Sequence, residues 1–133
     1  MKKVYLSYED IHTDSIKLAK KVKNKISSRK LVLITESGLI SGFIFANFIK
    51  IKNIELISNK NLKSNNERII NNEKLILFDN LARDNLEYKN IKKNIPKSKI
   101  IVLYTNNLTK KNSDLSLYNL NNDEKIIFPW EQE

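Results

Sequence analysis

The residues of this 133-residue chain that could do chemistry stand where apolar runs end. Asp79 and Asn80 follow the run Leu75–Phe78, and Thr35-Glu36-Ser37-Gly38 follows Leu31–Ile34. A few residues beyond the first pair, Asp84-Asn85-Leu86-Glu87 sets an acceptor at an N-cap position with a glutamate three residues on, the spacing of a capping box. Such a box satisfies the free N–H groups of a helix start from within. It also sets carboxylates at the positive end of the helix dipole. The chain has no cysteine, which excludes disulfides, thiolate metal sites and a thiol nucleophile. His12 is the only histidine; it falls on the first helix, away from these loops, and is assigned no chemistry.

The elements that would position these residues follow from periodicity. A short strand is predicted over residues 3–6. A helix then starts at Ser7, with Asp10 completing a capping box, and runs to about Ser27–Ser28. Its apolar residues Ile11, Leu18, Ala19, Val22 and Ile26 recur at helical spacing. Strands are expected over 31–34, 54–58, 75–78, 100–104 and 125–128. A helix is expected over 39–49, apolar nearly all round and so buried on several sides. A shorter helix is expected over 86–94, with Tyr88, Ile91 and Ile95 on one face. The Asn/Lys-rich stretches 59–66 and 106–123 read as loops. Strands alternating with helices argue for an α/β fold, a mainly parallel sheet flanked by helices, in one domain spanning 1–133. Ligands of such folds bind outside the carboxyl ends of the strands. The loops after Ile34, Ser58, Phe78 and Tyr104 are therefore the ones that matter.

Composition narrows the partners. Hydrophobic residues make up 41%, enough for a core, and no apolar run reaches the roughly 18 residues a membrane span needs. The longest, Leu39–Ile51, is broken by Ser41, Gly42, Asn47 and Lys50. The expected location is the cytoplasm. The formal charge of +9 suits an anionic partner. However, the 21 lysines are spread along the chain and only three arginines, the better phosphate forks, accompany them. Specific nucleic-acid binding is not expected.

Four segments resemble one family in the family's order. Leu31–Gly42 (LVLITESGLISG) resembles the first strand and pyrophosphate loop of the purine phosphoribosyltransferases. Leu75–Glu87 (LILFDNLARDNLE) resembles the motif of type I phosphoribosyltransferases that binds phosphoribosyl diphosphate (PRPP). The beginning, YLSYEDIHTDSIKLAKKV, and the ending Ile126–Glu131 resemble the short xanthine/hypoxanthine-guanine group. The resemblance implies a type I phosphoribosyltransferase-like sheet and transfer of ribose 5-phosphate from PRPP to a purine base, releasing pyrophosphate with the help of Mg²⁺. It also implies a possible homodimer, with the apolar helix 39–49 and Trp130 as candidates for its interface.

The resemblance also assigns roles, and the chain departs from several of them. Asp79 stands where a carboxylate holds ribose hydroxyls or Mg²⁺; a strand-end turn residue accounts for it equally well. Asn80 replaces a second acid; it can accept from a hydroxyl but is a poorer ligand for a hard cation. The acid given the general-base role aligns with Arg83, which cannot deprotonate, and Asp84 lies one residue along. Asn85 and Leu86 replace two glycines that let N–H groups approach the 5′-phosphate, and Glu87 replaces a threonine there. Glu36 stands where a basic residue faces pyrophosphate, followed by Ser37 and the retained Gly38. In the base pocket, Asn106 or Asn107 replaces a lysine and Lys125 replaces the stacking aromatic. Ile126 could pack on a ring, and Trp130 could line the pocket. Residues 59–72 correspond to the loop that closes over the site, with Arg68 a candidate anion contact.

Three functions are consistent with this pattern: a divergent active purine phosphoribosyltransferase, a pseudoenzyme binding a nucleotide, PRPP or a protein partner, and a basic nucleic-acid-binding module. The departures fall together on base, phosphate loop, pyrophosphate loop and purine clamp. That combination favours a protein weak or inactive in catalysis.

Overall fold

The run Leu31–Ile34 shows no polar alternation because both of its faces are covered, and all four residues are fully buried. It forms the centre of a computed structural model that describes residues 1–132 except 36, 59–73, 83–87, 90–91 and 94–95. In chain order the elements are β1 (Lys2–Tyr5), α1 (Tyr8–Val22), β2 (Lys30–Ile34), α2 (Leu39–Ile49), β3 (Asn53–Ile57), β4 (Ile76–Leu81), β5 (Lys99–Asn106), β6 (Leu115–Leu120) and β7 (Glu124–Ile127). Five strands make one sheet in the order β3-β2-β4-β5-β6, every neighbouring pair parallel. β1 and β7 form a separate two-stranded parallel sheet. The mainly parallel sheet flanked by helices is thus the architecture expected from the alternation of patterns.

Strand alternation divides the core into two layers. Leu31 and Leu33, Ile76 and Phe78, and Ile101 and Leu103 face α1 and α2, joined by Ile11, Leu18 and Phe45. Val32 and Ile34, Leu75 and Leu77, and Ile100 and Val102 face the other way, where Tyr88 and Ala82 cover them. Residues 88–89 and 92–93 are helical; the rest of the helix expected over 86–94 lies outside the described residues.

α1 begins as its sequence requires. Ser7 Oγ accepts from the Asp10 N–H at 3.0 Å, and the Asp10 carboxylate accepts from the Ser7 N–H at 2.8 Å. These bonds, the one to the Ser7 backbone first, hold the Asp10 carboxyl below its ordinary value of 3.8. A depressed carboxyl contributes stability above its unfolded-state value and loses it as pH falls through the folded value. Asp10→Asn should therefore lower the thermal midpoint at pH 7, and the gap from wild type should fade below pH 3.8. Ser7→Ala should cost about 1 kcal/mol by chemical denaturation at neutral pH. The helix stops at Val22, short of the expected Ser27–Ser28. The chain turns at residues 23–25, where Lys25 N–H donates to Val22 C=O at 2.7 Å, and Ile26 reaches the core from beyond that turn.

α2 spans Leu39–Ile49, the expected residues, but is covered on one face only. Ser41, Gly42, Phe45 and Ala46 are buried, while Ile40 and Phe43 remain 40% and 46% exposed. It packs on α1, β2 and β4, all on the same side. Gly42 makes that contact possible: a Cβ there would lie 2.3 Å from Leu33 Cδ2. Gly42→Ala should cost about 2 kcal/mol through overpacking. Unfolding in urea should show Leu33→Val relieving part of that cost in the double variant, a non-additivity that two independent sites would lack.

Residues 106–123, read as a loop, contain β6. It is the edge strand, paired with β5 alone, and it turns Leu115, Leu117 and Leu120 partly towards the core.

Candidate functional site

The strand order reverses between β2 and β4: the chain steps to β3 on one side and to β5 and β6 on the other. A crevice opens at such a switch point, outside the carboxyl ends of the two strands. Here it lies between the segment 35–38, of which Glu36 is outside the described residues, and the end of β4 at Asp79 and Asn80. Gly38 lets the two come together. A Cβ on it would stand 3.0 Å from Phe78 C=O and 3.5 Å from Asp79 Cα. Its own N–H donates to Ile34 C=O at 2.7 Å, closing the turn.

Asp79 and Asn80 are neighbours on a strand, so their side chains point to opposite faces. Asp79 shares the face of Leu77 and meets Tyr88, whose hydroxyl donates to Oδ2 at 3.1 Å. Ser37 Oγ donates to Oδ1 at 2.7 Å, and the Asn80 N–H donates to the same oxygen at 2.8 Å. Asp79 is 1% exposed, and these three bonds take most of the roughly four acceptor positions of a carboxylate. Asn80 shares the face of Phe78 and lies under the start of α2. Ser41 Oγ donates to its Oδ1, and its Nδ2 donates to Ser37 C=O. It is fully buried. The two residues therefore tie the 35–38 turn and α2 to one face of β4 and Tyr88 to the other.

This arrangement bears directly on Mg²⁺. A hard cation wants near-octahedral oxygen ligands, with one or two carboxylates supplied by the protein. Asp79 directs its oxygens at hydroxyl and amide donors, and Asn80 turns its amide into the fold. No group of three or more His, Asp or Glu side chains gathers among the described residues. Among the described residues, the side chains at the end of β4 do not fit a metal.

The remaining residues named from the sequence are scattered. Asp84, Asn85, Leu86 and Glu87 lie outside the described residues, as do Glu36, Arg68, Arg83 and all of 59–72. Asn106 closes its own loop: its Oδ1 accepts from the N–H groups of Leu108 and Thr109 at 2.9 and 3.0 Å. Asn107 accepts from Asn119 Nδ2 at 2.8 Å. Lys125 is exposed on β7, and Ile126 beside it is buried in the core. Trp130 stacks on Phe128, the rings 4.9 Å apart and 3° from parallel. With Thr35, Ser37, Leu39 and Ile40, Trp130 lines a cavity of about 150 Å³. Ligand pockets usually enclose roughly 300–1,000 Å³, so the space these described residues line is about that of one ring-sized part of a ligand. A wider depression of about 690 Å³ is lined by Lys89, Lys92, Lys93 and Lys111, with Lys92 paired to Asp114 at 2.6 Å.

Sequence reasoning named Asp79, Asn80, Ser37 and Gly38, and the fold brings them together. It missed Ser41 and the hydroxyl of Tyr88, which satisfy the first two. Strand alternation was the available signal, since it sends adjacent residues to opposite faces and so to different partners.

This sheet order and crevice define a type I phosphoribosyltransferase-like fold. A purine phosphoribosyltransferase from Pyrococcus horikoshii Ot3 superposes with a TM-score of 0.74 at 18% identity, over 100% of this chain and 97% of that one. A hypothetical protein from Neisseria gonorrhoeae with bound ppGpp gives 0.74 at 18%, over 98% and 90%. The xanthine-guanine-hypoxanthine phosphoribosyltransferase of Helicobacter pylori gives 0.72 at 19%, over 97% and 93%. No family model matches the chain. No curated protein matches it in sequence. Among the described residues no helix is long and apolar enough to cross a membrane.

Proposed function

We propose that this chain is a phosphoribosyltransferase-fold protein of the purine salvage type that is weak or inactive in transferring ribose 5-phosphate, and that its crevice binds a purine nucleotide. The carrying observation is the commitment of Asp79 and Asn80 to Ser37, Tyr88 and Ser41. Groups that would meet the sugar or Mg²⁺ hold the fold together instead. Catalysis in this reaction class is positioning and charge stabilisation, so internal satisfaction of these groups removes most of its means. The ligand class is supported by the fold neighbours: one holds ppGpp, and a Leishmania tarentolae phosphoribosyltransferase holds GMP. Asp79 stays the residue with the strongest claim on a ribose, with Ser37 and Gly38 beside it; Asn80 acts as a structural clamp.

Calorimetric titration tests this. GMP or ppGpp should bind saturably, and PRPP with Mg²⁺ should bind weakly. Tight PRPP binding abolished by Asp79→Ala would overturn the reading, because it requires a free carboxylate. The exposed Ile40 and Phe43 on the uncharged helix α2 also support a homodimer. Phe43→Lys should convert it to a monomer in sedimentation analysis, while an unchanged sedimentation mass would place the interface elsewhere.

A further inference from the structure

We infer that Tyr88 is a built-in competitor for the crevice, a latch whose hydroxyl occupies the Asp79 carboxylate until a ligand with a ribose diol displaces it. The inference rests on the nucleotide-binding reading above and adds how access to that site is controlled. Tyr88 is 1% exposed, and its ring belongs to the layer built from Val32, Ile34, Leu77 and Val102. The ring therefore has a packing role of its own. The hydroxyl has another: it reaches Asp79 Oδ2 at 3.1 Å from the face opposite α2. Ser37 Oγ holds Oδ1 from the turn side at 2.7 Å. The Asn80 N–H also donates to Oδ1 at 2.8 Å, so a diol approaching the end of β4 competes with the two hydroxyls, that of Tyr88 on Oδ2 and that of Ser37 on Oδ1. A hydrogen bond to a charged acceptor is among the stronger kinds, so the exchange weakens the ligand's apparent affinity. Unlatching is thus a cost paid from binding, and removing the hydroxyl while keeping the ring should return it.

Tyr88→Phe is the direct variant, because phenylalanine preserves the packing. Titration of PRPP with Mg²⁺ should show this variant binding at least about tenfold more tightly than wild type, the equivalent of one strong hydrogen bond. Ser37→Ala, which removes the displaceable hydroxyl from the other oxygen and leaves its bond from the Asn80 N–H and the core layer in place, should also tighten binding and serves if Tyr88→Phe does not fold. Tyr118→Phe, a hydroxyl remote from Asp79, should change nothing. A merely structural role for Tyr88 predicts lower thermal stability with unchanged or weaker binding, and that result in a folded variant overturns the latch. GMP separates the two ideas. If wild type binds GMP and neither variant gains affinity for PRPP, the latch is wrong and the nucleotide site stands. If no form of the protein binds either ligand, the nucleotide site itself is wrong and the latch falls with it.

Discussion

Asp79→Ala should lower the stability of the folded chain by about 3 kcal/mol, read from urea unfolding, because it removes a buried carboxylate that three donors share rather than freeing a ligand site. The Tyr88 hydroxyl and the Asn80 N–H each lose a bond to a buried carboxylate, and Ser37 loses the bond that ties the 35–38 turn to β4. Asp79→Asn, which keeps one acceptor oxygen, should cost less. A carboxylate kept for a ligand behaves in the opposite way: it is a strained, under-satisfied group, and its removal is commonly neutral or stabilising. Unchanged or raised stability of Asp79→Ala would therefore count against the internal role.

The second large effect concerns the residue beside it. Asn80→Asp restores the carboxyl pair of the family pattern, yet it should destabilise the protein by about 3 kcal/mol rather than improve it. The amide is used at both ends: Oδ1 accepts from Ser41, and Nδ2 donates to Ser37 C=O. A carboxylate can replace the acceptor but has no hydrogen to give the carbonyl, so two oxygens would face one another in a buried site. Urea unfolding gives the magnitude. The same variant should gain no PRPP binding, because the new group points under α2 and not into the crevice. A well-folded Asn80→Asp with new Mg²⁺-dependent PRPP affinity would show that the amide is an incidental replacement.

Much of the fold was legible because burial here is continuous. The runs at 31–34, 75–78 and 100–104 are apolar without interruption because both faces of β2, β4 and β5 are covered. α2 has its expected limits because Gly38 opens it and Lys50, in the left-handed region at φ 61°, closes it. β6 was not legible. It is paired on one side only, and its partly buried leucines are interleaved with Ser116, Tyr118 and Asn119. The exposed face of α2 was likewise hidden, since a helix that is apolar all round gives no sign of which side the sheet will take.

The site was legible as a place and not as a network. An apolar strand ending in Asp79-Asn80 marks a carboxyl-end crevice, and the Ser37–Gly38 turn faces it. The satisfaction of both polar residues depends on Ser41, 39 residues before Asn80, and on Tyr88, whose ring pattern announced burial while its hydroxyl announced nothing. Strand register and helix docking decide such pairings, and neither is written in local periodicity.

Catalysis of ribose 5-phosphate transfer is the property that separates a pseudoenzyme from a divergent enzyme. The most direct measurement is pyrophosphate release from PRPP and Mg²⁺ in the presence of guanine, hypoxanthine or xanthine, with purified wild-type protein at high concentration. Release is expected to be no faster than in the absence of protein. Base-dependent release at a turnover of about 1 s⁻¹ or more, lost in Asp79→Ala while that variant remains folded, would contradict it.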